Sequence, residues 1–166
     1  VTLFVIIMAQ SKLQQLKQSS AKDLLYSALF GLLNPFLYYA ILFKAFELLP
    51  AQEAQPLNYI WGIMLVILSI PLLKQKIGLK SIVAIIISFF GVFVIATHGS
   101  ILEFRFTNAT GASLAIGSSV IWALFWIYNV KDKRDEVVKL FLGFLFGLMY
   151  ITIAMLLFST FIIPDI

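Results

Sequence analysis

The sequence predicts an all-α integral membrane protein, a polytopic bundle of transmembrane helices, on three observations. The composition is 61% hydrophobic and only 12% charged, against about 25% charged in ordinary soluble domains, and the mean hydropathy is +1.01. Residues 24–73 form two uncharged apolar runs, 24–43 and 54–73, joined by the short polar segment 44–53. Basic residues, finally, gather in alternate loops along the chain. At about 1.5 Å of helical rise per residue, a run of about 20 residues matches the roughly 30 Å hydrocarbon core of a bilayer. A segment in lipid has to satisfy its own backbone polar groups, which leaves helices or closed barrels. No run alternates apolar and polar residues with period two, so the barrel is set aside.

Taken in order, residues 1–10 are apolar but only about half a span, without the basic leading region or small-residue cleavage site of a signal peptide. They read as the tail of a helix, and the chain is expected to be a piece of a larger membrane protein. Residues 11–22 are polar, with Lys12, Lys17 and Lys22. The central pair follows as an antiparallel hairpin, its connection carrying Pro50 and the charges of Lys44, Glu47 and Glu53. A short basic loop, 74–80, leads to the uncharged span 81–97. The polar linker 98–108 precedes the span 109–130, and the charged loop 131–139 precedes the last span, 140–161. The expectation is five full spans and one partial one.

Because each span reverses sides, the loops fall into two sets. The loops 11–22, 74–80 and 131–139 hold ten of the Lys and Arg residues, and the loops 44–53 and 98–108 hold only Lys44 and Arg105. The excess marks the first set as cytoplasmic, in what is expected to be a plasma (inner) membrane. Strict alternation by loop makes topology the reading of these charges, and no nucleic-acid partner is expected. The chain has no cysteine and a single histidine, His98, with no carboxylate cluster around it. That leaves no disulfide framework, no thiolate or histidine metal site, no cofactor and no grouping that would make an enzyme.

Polar and aromatic residues inside spans are where function would reside. Asn34 and Tyr38 lie four apart with Pro35 between them, on one helical face, and a proline there can kink the helix toward a cavity. Gln55, Asn58, Tyr59 and Gly62 fall at helical spacing as one polar stripe, with Trp61 beside it. Ser118, Trp122 and Trp126 stack at four-residue intervals; Trp126, near a span end, suits an interfacial anchor and Trp122 a cavity. For all of these, two readings stay open: lining a substrate path, or packing one helix on another. Gly111, Ala115 and Ser119, and the pair Gly143 and Gly147, are small-residue faces for close helix packing. Glu53, one residue before an apolar helix, reads as an acid that complements the helix dipole. Asn108-Ala109-Thr110 is a formal glycosylation triplet placed almost against the membrane.

A set of loose motifs then gains weight from its order. It comprises Tyr38-Tyr39-Ala40, Leu48-Leu49-Pro50-Ala51-Gln52-Glu53-Ala54, Leu57-Asn58-Tyr59-Ile60-Trp61, the basic loop 73–80 and Phe90-Gly91-Val92-Phe93-Val94-Ile95. A second block has Gly111, Ala115, Ser119 and Trp122-Ala123. In this order and spacing the sequence resembles the EamA-type transporters of the drug/metabolite transporter superfamily. One departure is the loop Lys74-Gln75-Lys76, where the family usually carries a Glu. The resemblance implies part of a ten-helix inverted-repeat transporter, with a site between two five-helix repeats near the midplane. Residues 1–97 then correspond to the end of helix two and helices three to five of the first repeat, 98–108 to an external linker, and 109–166 to the first two helices of the second repeat. The function it implies is a secondary carrier that exports or exchanges a small organic metabolite, with an amino acid or aromatic compound suggested by the aromatic content. Partners are then the bilayer, the metabolite and the rest of the transporter chain. The candidate substrate-binding residues are Asn34, Tyr38, Gln55, Asn58, Tyr59, Trp61, Ser118 and Trp122. The alternative, from another class, is a membrane scaffold or assembly subunit that transports nothing.

Overall fold

The computed structural model describes residues 2–96 and 107–158. His98, most of the 98–108 linker and residues 159–166 lie outside the described residues. All elements among the described residues are helical. They are α1 (Thr2–Ala9), α2 (Leu13–Lys17), α3 (Ala21–Gly31), α4 (Tyr38–Leu48), α5 (Ala51–Tyr59), α6 (Trp61–Leu73), α7 (Leu79–Ala96), α8 (Ala109–Lys131) and α9 (Glu136–Phe158). By length and composition, Ala21–Leu48, Ala51–Leu73, Ala109–Lys131 and Glu136–Phe158 can each cross a membrane, and Leu79–Ile95 is a shorter apolar helix. Long apolar side chains stay uncovered along these helices, for example Leu148, Leu156, Ile86 and Ile87. That is the pattern of a protein whose solvent is lipid.

Two of the predicted spans are interrupted, each for a local reason. Between α3 and α4, Asn34 is extended (φ −147°, ψ 120°) inside the segment Leu32–Leu37. Pro35 causes this, because its Cδ clashes with a helical residue before it and it has no N–H to continue the ladder. Between α5 and α6, Ile60 takes φ −56° and ψ −16° and donates its N–H to Leu57 O at 3.3 Å, a 3₁₀-type bond. Pro56, inside α5, has already removed a ladder donor.

The chain forms two compact units, Val1–Phe36 with Lys133–Ile166, and Leu37–Asp132. In the first, α3 and α9 run parallel. Arg134 reaches Asp23 and Ser27 at one end, and Phe36 stacks near Tyr150 further along. Between these ends the backbones come into direct contact. A Cβ on Gly31 would overlap the Gly143 carbonyl oxygen and lie 2.6 Å from the Gly147 nitrogen, and one on Gly147 would overlap the Pro35 ring. The small-residue face expected on the last span is therefore a helix-packing face. The α1 helix runs antiparallel to α9, with Phe4 beside Phe141 and Lys12 bound to Asp135 at 2.6 Å. The hydrogen bond from Lys12 holds the Asp135 carboxyl below its ordinary value, against the opposing effect of burial. Ser20 and Asp23 cap α3 reciprocally, through Asp23 N to Ser20 Oγ at 3.2 Å and Ser20 N to Asp23 Oδ2 at 2.9 Å. The last helix begins earlier than its apolar run suggests, at Glu136, so Lys139 is not a loop residue. It is 4% exposed on the helix and pairs with Glu136 at 3.0 Å.

In the second unit, α4 and α8 are antiparallel, since Tyr38 meets Trp122 and Leu49 meets Gly111. By contrast α5–α6 and α8 run in the same direction. Asn58 bonds Ser118, and Leu65–Leu73 border the same cavity as Trp126–Val130. Two spans that run parallel in a membrane need a return crossing between them. Helix α7 is the described element that can supply it, with 18 residues or about 27 Å at about 1.5 Å each. The fifth expected span is thus present as a shorter helix than the other four. Its packing is light, and apart from half-buried Ile85 and residues 92–94 its described side chains are largely uncovered.

Candidate functional site

The core of the second unit is apolar at the end where α4 turns into α5. Ala45, Leu49, Ala54 and Leu57 pack there on Ala112 and Ala115 of α8. The motif Leu48-Leu49-Pro50-Ala51-Gln52-Glu53-Ala54 makes this corner. Its leucines close over Gly111, and Glu53, 4% exposed, accepts hydrogen bonds from the Thr107 amide and hydroxyl. Asn108 accepts from Gly111 N at 2.9 Å, so the residue of the glycosylation triplet is the cap of α8.

One turn deeper the core becomes polar. The Tyr38 hydroxyl donates to Asn58 Oδ1 at 3.2 Å, Asn58 Nδ2 donates to Ser118 Oγ at 3.0 Å, and Ser118 Oγ donates to Ala115 O at 2.7 Å. All three side chains are buried, with Ser118 wholly covered. An isolated amide here would cost a few kcal/mol of desolvation, and the two bonds offset it. They use one acceptor site and one donor of Asn58, which leaves a further amide hydrogen and a further lone pair. Against this chain stands an aromatic wall. The Tyr38 and Trp122 ring centroids are 4.5 Å apart, and Trp122 has Trp61 at 6.5 Å and Trp126 at 6.4 Å, both edge-on, and Phe125 at 5.9 Å. The arrangement sets an amide with unused hydrogen-bonding capacity beside aromatic faces.

Of the residues singled out from the sequence, Tyr38, Asn58, Trp61, Ser118 and Trp122 come together. The others do not. Asn34 is buried in the first unit, with its Oδ1 unpartnered, and its extended backbone breaks the four-residue relation to Tyr38. Gln55 and Tyr59 are exposed, Tyr59 at 60%, while Asn58 is buried, so the expected single stripe is split. Tyr59 and Gly62 keep one face and border the same groove, whereas Asn58 stands on the adjoining face toward α8. Trp126, 39% exposed near the end of α8, keeps the place of an interfacial anchor. Sequence reading treated Glu53 as a dipole-complementing acid and missed its partner Thr107, which lies 54 residues away with no local signal. Among the described residues, no group of three or more His, Cys, Asp or Glu comes together that could hold a metal.

The profile of the EamA-like transporter family matches residues 1–97. The chain belongs to the EamA-like transporter family. Its members are transporters rather than enzymes, which accords with an all-helical chain built for a membrane. No curated protein and no solved structure gives a significant match. The matched stretch of this EamA-like chain contains Tyr38, Asn58 and Trp61 and ends before α8. Ser118 and Trp122 therefore enter the site through their contacts with matched residues, not through the family match itself.

Proposed function

We propose that this chain is part of a secondary carrier that exports or exchanges a small organic metabolite by alternating access, and that Tyr38, Asn58, Trp61, Ser118 and Trp122 line its substrate path. The observation that carries the reading is the polar relay Tyr38–Asn58–Ser118 backed by Trp122, in a chain of a transporter family. A scaffold would need only apolar packing at that depth. In this reading residues 1–97 close the first five-helix repeat, 98–108 form an external linker, and 109–166 open the second repeat. The planar aromatic wall favours an amino acid or aromatic metabolite as cargo.

The test is transport by the complete carrier bearing Trp122→Phe or Trp122→Ala. Loss of stacking worth about 0.5–1.5 kcal/mol corresponds to a fall of up to about tenfold. Trp122→Ala is expected to show that fall per folded molecule, and Trp122→Phe a smaller one. Unchanged transport per folded molecule with a reduced folded yield would assign Trp122 to packing and favour the scaffold.

Orientation belongs to the same proposal, with the loops 11–22, 74–80 and 131–139 cytoplasmic in a plasma (inner) membrane. The chain has no cysteine, so single cysteines can be read without background. Cysteines at Lys17, Lys76 and Lys133 are expected to resist an impermeant thiol reagent in intact cells, and one at Ser100 to label. The reverse pattern would invert the topology.

A further inference from the structure

Where α6 ends and α7 begins, the second unit has an opening that the transport reading does not use. A cavity of about 440 Å³ is bordered by Leu65, Ser69, Gln75, Lys76 and Trp126, among others. It continues, through Val66 and Ser81 which border both, into a groove of about 490 Å³ between α6 and α7. The groove is floored by Gly62, Ile63, Ala84 and Ile85. Gly62 has no atom within 4 Å of where a Cβ would stand, so the groove is open at that point.

The charge around the mouth is one-sided. Lys76 lines the cavity, and Lys74 and Lys80 flank it at the end of α6 and the start of α7. All three are exposed, and no Asp or Glu occurs in the sequence between Glu53 and Glu103. Three other lysines have acids: Lys12 pairs with Asp135, Lys44 with Glu47, and Lys139 with Glu136. Lys74 itself ends α6 in the left-handed conformation (φ 54°), which turns the chain sharply into the basic loop. The first turn of α7 contains no acidic residue, so its dipole adds to the positive field.

We infer that this opening binds one anionic phospholipid. Its phosphate sits at Lys74, Lys76 and Lys80, and an acyl chain lies in the groove between α6 and α7. A basic mouth above an apolar slot has the layout of that molecule, head over tail. Basic pockets between transmembrane helices are a recognised way of holding anionic headgroups. A packing helix would fill the slot yet leave the three lysines without a counter-charge. A soluble anion would satisfy the lysines yet leave the slot empty. Trp126, half in the cavity and amphipathic, stands at the level expected for the headgroup boundary.

Native mass spectrometry of the purified chain in detergent tests this with phosphatidylglycerol, phosphatidylcholine and soluble glycerol phosphate as separate probes. One phosphatidylglycerol is expected to remain bound, with at least tenfold less phosphatidylcholine at equal concentration and no glycerol phosphate. The exposed-loop variant Lys74→Gln/Lys76→Gln/Lys80→Gln is expected to lower phosphatidylglycerol occupancy at least tenfold. Gly62→Leu, which fills the groove and leaves every charge in place, is expected to lower it at least fivefold. Equal retention of phosphatidylcholine, full occupancy in the triple variant, undiminished binding by Gly62→Leu, or retention of glycerol phosphate would each overturn the inference. None of these readouts depends on transport, so they stand apart from the proposed function.

Discussion

Asn58→Ala is expected to reduce transport by the complete carrier at least tenfold per folded molecule and to destabilise the fold by about 1–3 kcal/mol. The second figure follows from the Tyr38 hydroxyl, which is buried and loses the acceptor it holds at 3.2 Å. Ser118 suffers less, because its hydroxyl still donates to Ala115 O. Ser118→Ala is expected to be milder in stability, because it keeps the Tyr38–Asn58 bond whereas Asn58→Ala loses both bonds of the relay. Asn58→Leu separates the two effects. It restores apolar packing but supplies no hydrogen bond, so transport should stay as low as in Asn58→Ala. Transport assays normalised to fluorescence-detected folded protein would measure both. Wild-type transport per folded molecule in Asn58→Leu would remove the amide from the substrate path.

Gly31→Val should cost about 3 kcal/mol or more and remove most of the folded protein. The added Cβ would meet backbone, the Gly143 carbonyl and the Gly147 nitrogen, and not a side chain that could swing away. Overpacking a tight contact ordinarily costs about 1–3 kcal/mol, and here the obstacle is an entire helix. Gly117→Ala is the matched control. It lies within α8 with nothing within 4 Å of its Cβ position, so it should be neutral or gain about 0.5–1 kcal/mol from helix propensity. Thermal unfolding in detergent reads both. Equal melting of Gly31→Val and the parent protein would mean that α3 and α9 do not touch at this point.

Much of this architecture was legible because span length is set by the bilayer and not by tertiary detail. The runs at 54–73 and 109–130 reappear as Ala51–Leu73 and Ala109–Lys131. The interruption at Pro35 was legible too, since proline acts on its own neighbours. What it did to facing was not. An extended Asn34 resets the helical phase, so the spacing from Asn34 to Tyr38 lost its meaning, while Asn58 is buried one residue off the face that Tyr59 and Gly62 share. The candidates that did converge, Tyr38, Asn58, Trp61, Ser118 and Trp122, lie on four elements. Their meeting depends on which helices pair, and sequence spacing carries no information on that. Lys139 shows the same limit in another form. A lysine at the edge of a charged loop reads as exposed, and only the earlier start of α9 buries it.

The two hydrogen bonds of Asn58 also differ in when they can form. Its partner Tyr38 precedes it by 20 residues, whereas Ser118 follows by 60. At roughly 5–20 residues per second of synthesis, that second partner emerges about 3–12 seconds after the amide. If the hairpin inserts before α8 emerges, Tyr38 is the one partner of the two that Asn58 can then reach. Helix α8 brings Ser118 to the relay and also packs on α4 and α5, so in that order of insertion one element would both finish the candidate site and join the earlier helices.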